Sequence, residues 1–196
     1  MTTLPAIRLR ALEPEDLDLL YQIENERSLW HVSSSNVPYS RYALRNFIAN
    51  TGNDIFADRQ LRQIVEDDLG KAVGIVDLVN FDPRNQRAEV GIIIAKDRQQ
   101  QGYGTQTLEA LIDYCREMLQ LHQLYAYVPC FNKASHQLFL KAGFVEQNRL
   151  KDWLLHNNQF VDAWLMQYFL YKNCQHSWWN GKLFVLLQPL TEKQPF

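Results

Sequence analysis

A strand–loop–helix unit in the middle of the chain constrains the fold most. The apolar run AEVGIIIA (88–95) leads through the loop RQQQGYGTQT (98–107) into the amphipathic run LEALIDYCREML (108–119). The mostly apolar run fits a buried strand, and Leu108, Leu111, Ile112, Cys115 and Leu119 share one helical face. Gly102 and Gly104 free the backbone where strand becomes helix. Such freedom lets amide N–H groups approach an anion closely, most often a phosphate. Two familiar phosphate loops fail on the residues. A P-loop closes with Gly-Lys-Ser/Thr, and here Thr105 and Gln106 follow Gly104. A dinucleotide loop needs a third glycine where this chain has Thr107.

The flanking segments extend the pattern. AIRLRAL alternates, so Ile7, Leu9 and Ala11 share a strand face. EDLDLLYQIENE and RYALRNFIAN read as helices, the second capped by Ser40. RQLRQIVED and KAVGIVDLVNF read as strands joined by a turn at Asp67, Asp68 and Gly70, and DPRNQ turns into RAEVGIIIA. QLYAYVP is a strand, and NKASHQLFLKAGF a helix capped by Asn132 and ended by Gly143. FVEQNRL and QFVDAWLMQYFL are the last strands. The order β-α-α-β-β-β-α-β-α-β-β predicts an α/β (α+β) mixed sheet with helices on its faces.

Bulk properties narrow the function. A chain of 196 residues is about one domain. A net charge of −2 with no basic stripe argues against a nucleic-acid partner. No apolar run reaches the roughly 18 residues of a membrane helix, and the N-terminus carries no secretory pattern. Cys115, Cys130 and Cys174 form no Cys-x-x-Cys pair, which predicts a reducing, cytoplasmic setting with no zinc site.

The segment Gln99-Gln100-Gln101-Gly102-Tyr103-Gly104 resembles the acetyl-CoA signature Gln/Arg-x-x-Gly-x-Gly/Ala of the GCN5-related N-acetyltransferase (GNAT) superfamily. NKASHQLFLKAGF and RLKDWLLHNNQFVDAWLM are similar to that family's later elements, so the likeness runs from Ile7 to Phe169. The branch it most resembles holds ribosomal-protein N-terminal acetyltransferases and bacterial spermidine acetyltransferases. The resemblance implies a mostly antiparallel sheet of about six to seven strands, with a splayed parallel pair and about four helices. Residues 1–171 would form this domain, and 172–196, with Trp178, Trp179 and Phe184, a tail packed on the domain or a partner subunit.

The resemblance also implies acetyl-CoA as co-substrate and no metal. The pyrophosphate would meet Gln99, Gln101, Gly102, Tyr103, Gly104 and Thr105, with no lysine needed at a helix N-terminus. The two glycines would remove Cβ atoms that keep the amides from the oxygens. Backbone groups of Ile92, Ile93 and Ile94, together with Asn132 and Phe139, would line the pantetheine arm. Cys130 lies nearby, but a lone cysteine is usually packing, so direct transfer is expected over a covalent acetyl-cysteine.

Acetyl transfer to an amine needs a base to neutralise it and a proton for the departing thiolate. Asp77 and Glu89 stand on strands leading to the cofactor, and Glu89 matches an acidic position of polyamine acetyltransferases. Glu24 and Glu26 on the first helix, with Asp77, are the acceptor-binding candidates. Two departures stand out. Phe139 occupies the position of the family's usual tyrosine acid, and Ser135, three residues after Asn132, matches the alternative hydroxyl that the resemblance implies in the ribosomal-protein branch. The segment SSSNVPYSRYALRN lacks the carboxylates seen in polyamine enzymes. The leading expectation is an N-acetyltransferase acting on a small amine or a peptide N-terminus. Alternatives are a polyamine acetyltransferase, marked by an acidic pocket, and a non-catalytic acetyl-CoA-binding module. A homo-oligomer is left open.

Overall fold

The computed structural model describes residues 4–26, 37–52 and 54–171. The expected tail at 172–196 lies outside the described residues. The strands are β1 (Ile7–Ala11), β2 (Leu61–Asp67), β3 (Ala72–Asp82), β4 (Arg87–Ile94), β5 (Gln123–Pro129), β6 (Val145–His156) and β7 (Gln159–Phe169). The helices are α1 (Leu17–Asn25), α2 (Arg41–Asn50), α3 (Ile55–Asp58), α4 (Tyr103–Glu117) and α5 (Lys133–Lys141). They build one seven-stranded sheet in the order β1-β2-β3-β4-β5-β7-β6. Every neighbouring pair is antiparallel except β4 and β5.

Local chemistry accounts for the helix ends. Ser40 accepts from the Ala43 N–H, and Asn132 Oδ1 from the Ser135 N–H at 3.1 Å. Gly143, at φ 90°, ends α5 in the left-handed region. The one-turn α3 was not expected from the sequence; Asp54 caps it by accepting from Phe56 and Ala57. In β1, Ile7 and Leu9 pack inward as the alternation predicts, but Ala11 at the strand end is exposed.

The sheet separates two apolar layers. On one face α4 and α5 pack over Val73, Val76, Leu78, Ala88 and Val90, with Ile92 and Ile94 at the margin. On the other, α1 and α2 cover Ile64, Ile75 and Ile93. Gly74 is required where β3 meets β4, because a Cβ there would lie 2.4 Å from the Ile93 carbonyl oxygen.

Candidate active site

The sheet splits at its centre. β4 and β5 are in register only at Arg87↔Gln123, Ala88↔Leu124 and Glu89↔Tyr125. Beyond that point β4 keeps its partner β3, and β5 keeps β7, but the two strands separate. Backbone direction follows from the antiparallel alternation. The Ala95 N–H bonds to the Val73 carbonyl, so Ile93 also faces β3, while Ile92 and Ile94 turn their backbone groups into the split. On the other wall, Cys130 bonds to Asp162 of the hairpin, so Tyr127 faces the split. Backbone groups without a strand partner must bond to something else, and an extended amide-bearing chain fits between such edges. Of the three expected isoleucines, Ile92 and Ile94 therefore have the right orientation. Ile93 is a correction: its backbone is spent on β3 and its side chain packs against the α1–α2 layer.

The glycine loop stands at the mouth of the split. Gly102 is the N-cap of α4 at φ 96°, and Gln100 two residues earlier is at φ 60°. No side chain caps this helix. Its first intrahelical bond runs from the Gln106 N–H to the Gly102 carbonyl, so the N–H groups of Tyr103, Gly104 and Thr105 point out of the helix start. Consecutive amides around left-handed residues at a helix N-terminus suit a pyrophosphate. Gln99 and Gln101 brace the loop instead of reaching outward, donating to the carbonyls of Ile94 (2.9 Å) and Asp97 (2.8 Å). The Tyr103 ring is buried, so only its backbone is available. Gly104 has a different reason from the one expected: its Cβ would point at the Leu138 methyl carbons, 3.1 and 3.2 Å away. It lets α4 approach α5, while Gly102 supplies the special φ.

Asn132 and Ser135 open α5 beside the same mouth. The half-buried Ser135 hydroxyl has no hydrogen-bond partner among the described residues. Phe139 corrects another expectation: it is 3% exposed, edge-on to Phe144 with centroids 4.9 Å apart, and belongs to the core. Cys130 is partly buried, and desolvation pushes its thiol up, with Asp162 and Glu146 adding to the effect against Arg149. A scarce thiolate does not favour a covalent route.

On the face opposite α4, Glu89 stands at the apex of the split as the last β4 residue registered with β5. Burial pushes its carboxyl above the usual range, and a 2.8 Å bond from Asn80 opposes that effect. Asn80, which the sequence reading missed, sits at φ 51° in the irregular stretch of β3 between Val79 and Asp82. Asparagine tolerates that backbone, and the irregularity aims its amide at Glu89. Asp77 is not available as expected: Arg62 Nε and Nη2 hold both its oxygens at 2.8 Å. Arg62 also donates to Glu24 at 2.5 Å, and Glu26 lies exposed at the end of α1. The four expected acids therefore do not form one cluster of bare carboxylates. Among the described residues no group of side chains could hold a metal ion.

Comparison with known proteins agrees with this geometry. The family description "Acetyltransferase (GNAT) domain" matches residues 6–145. The spermidine N(1)-acetyltransferase of Vibrio cholerae serotype O1 is 28% identical over 157 residues, covering 80% of this chain and 89% of that protein. A putative ribosomal N-acetyltransferase of Bacillus subtilis, YdaF, is 31% identical over 172 residues, covering 85% and 91%. The crystal structure of the Vibrio cholerae spermidine acetyltransferase in complex with CoA and spermine superposes with a TM-score of 0.73 at 28% identity, covering 84% of this chain and 95% of that one.

Proposed function

This chain belongs to the acetyltransferase (GNAT) family and is an acetyl-CoA-dependent N-acetyltransferase, and from that premise we propose how its residues serve the reaction. The split between β4 and β5 with Glu89 at its apex carries the reading. The open edges of Ile92 and Tyr127, with the Ile94 N–H, suit the amide-bearing arm of coenzyme A, and the amides of Tyr103, Gly104 and Thr105 suit its pyrophosphate.

Glu89, directly or through one water, takes the proton of the acceptor ammonium. A carboxyl raised by burial is better matched to that task than an ordinary one. The neutral nitrogen attacks the thioester carbonyl; the N–C bond forms, the C–S bond breaks, the departing thiolate takes a proton from Ser135 or from water, and the second proton lost by the attacking nitrogen restores that donor and leaves the neutral amide. A free thiol has a pKa of about 8.5, so the thiolate leaves acceptably even without a strong acid.

The acceptor we propose is a primary amine on a small molecule. The named activity of the Vibrio cholerae and Escherichia coli relatives supports a polyamine as a second reading. The ribosomal relative supports a peptide N-terminus. A related spermidine acetyltransferase structure is dodecameric, which supports assembly of several copies here, testable by sedimentation. Thiol release from acetyl-CoA across monoamines, spermidine and short peptides tests the acceptor. Release with none of them removes the catalytic proposal.

A further inference from the structure

The acceptor side of the split carries a row of aromatic rings that the transfer chemistry does not use. Glu89 and Tyr125 are directly registered in the parallel pair, so their side chains share a face, and Tyr127, two residues on, shares it too. The Tyr125 and Tyr127 rings meet edge-on with centroids 5.6 Å apart. Tyr127 in turn meets Trp153 of β6 at 5.5 Å. Burial decreases along this row: both tyrosines are half-buried, and Trp153 is 51% exposed. It therefore runs outward from the proposed base to solvent. On the other side of the split, two residues beyond Glu89 as Tyr127 is beyond Tyr125, β4 carries Gly91, which adds no side chain of its own to that wall.

A half-exposed tryptophan tilted against a tyrosine is costly to leave in water, and its place in the row is continuous with Glu89. An amine reaching Glu89 along this row has its nitrogen at the inner end and its body against the rings. Flat or apolar bodies gain most from such a wall, through stacking and area burial.

We propose that Tyr127 and Trp153 are specificity-determining residues that bind the body of the acceptor, and that the preferred acceptor is a primary amine on a flat, apolar body. This rests on the acetyl-transfer reading and narrows it. The shared chemistry has two sources, a free arylalkylamine and a peptide beginning with an aromatic residue.

The test uses the full chain, acetyl-CoA and a thiol-release assay. Phenethylamine is compared with butylamine and spermidine, and a peptide starting with Phe with one starting with Ala. Edge and face contacts between rings predict that an aromatic acceptor outperforms its aliphatic counterpart by roughly tenfold in kcat/KM. Trp153→Ala should remove that advantage by raising KM for the aromatic acceptor about tenfold at nearly constant kcat. Trp153→Phe, which keeps a ring, should retain most of it. A preference seen only in the peptide pair assigns the body to a peptide side chain, and one seen in the free amines assigns it to a small molecule; both support the wall. Butylamine or spermidine matching phenethylamine, with no preference between the peptides, overturns the inference while leaving acetyl transfer intact. A Trp153→Ala variant that changes sedimentation but not the acceptor preference also overturns it, assigning the tryptophan to contacts between copies. No release with any amine is a failure of the catalytic reading itself.

Discussion

Replacing Gly102 with alanine adds a Cβ to a residue held at φ 96°, where it would lie 2.9 Å from Leu4 Cδ2 and 3.0 Å from Pro5 Cδ. The left-handed conformation alone costs a non-glycine residue roughly 1–2 kcal/mol. Leu4 is 56% exposed and can swing aside, so the contact adds less than the backbone does. The loop can relieve the strain only by leaving the conformation that starts α4 with three outward amides. A hydrogen bond to a charged group contributes about 1.5–3 kcal/mol, so misaligning one amide weakens acetyl-CoA binding by roughly 10- to 100-fold. Gly104→Ala is the matched control. Its φ is not in the left-handed region, and the Leu138 methyl carbons at 3.1 and 3.2 Å need yield only slightly. Alanine within a helix is favoured over glycine by about 1 kcal/mol, which offsets the crowding. Calorimetric titration with acetyl-CoA, alongside chemical denaturation, should therefore show lost affinity for Gly102→Ala and near-native affinity for Gly104→Ala. The opposite ranking in two folded variants would refute the division of labour between these glycines.

Glu89→Gln should lower kcat by about 10²–10⁴-fold while acetyl-CoA affinity stays the same, measured by thiol release and calorimetry. Because burial raises the Glu89 carboxyl, the base is lost as pH falls through that raised value, and the acid limb of kcat/KM should lie above the ordinary carboxylate range. Asn80 favours the charged form, so Asn80→Ala should move that limb to higher pH; a limb that stays put assigns it to another group. Arg62→Met removes both bonds to the Asp77 carboxylate and one ion pair from Glu24 in a mostly buried setting and should cost a few kcal/mol in urea denaturation, where a silent result would refute the structural weight given to this cluster. Gly74→Ala drives a Cβ against the Ile93 carbonyl, and a folded variant of unchanged stability would contradict the strand spacing described above.

Much of the architecture is legible in the chain because the signals are local. Period-two and period-3.6 patterns mark β1 to β7 and the longer helices, and Ser40, Asn132, Gly102 and Gly143 mark their ends through capping chemistry and positive φ. The glycines after an apolar strand already marked freed backbone at a helix start, and Gly102 caps α4 there in the left-handed region. One-turn α3 lacked a periodic signal because four residues are too few to carry one.

Only the tertiary structure decided which groups are free to act. Asp77 and Glu89 look alike in sequence, but Arg62, fifteen positions from Asp77 along the chain, pairs with one, while a strand irregularity brings Asn80 to the other. The resemblance alone pointed to Phe139 as a site position, and packing turned its ring against Phe144 in the core. Gly102 and Gly104 share a motif and divide its work, one serving the backbone conformation and the other the approach of α5. Tyr125, Tyr127 and Trp153 become one row only when β6 pairs with β7 beside β5. Strand and helix propensities act over a few residues, whereas ion pairing, ring contacts and the split of β4 from β5 depend on segments brought together by the packed sheet.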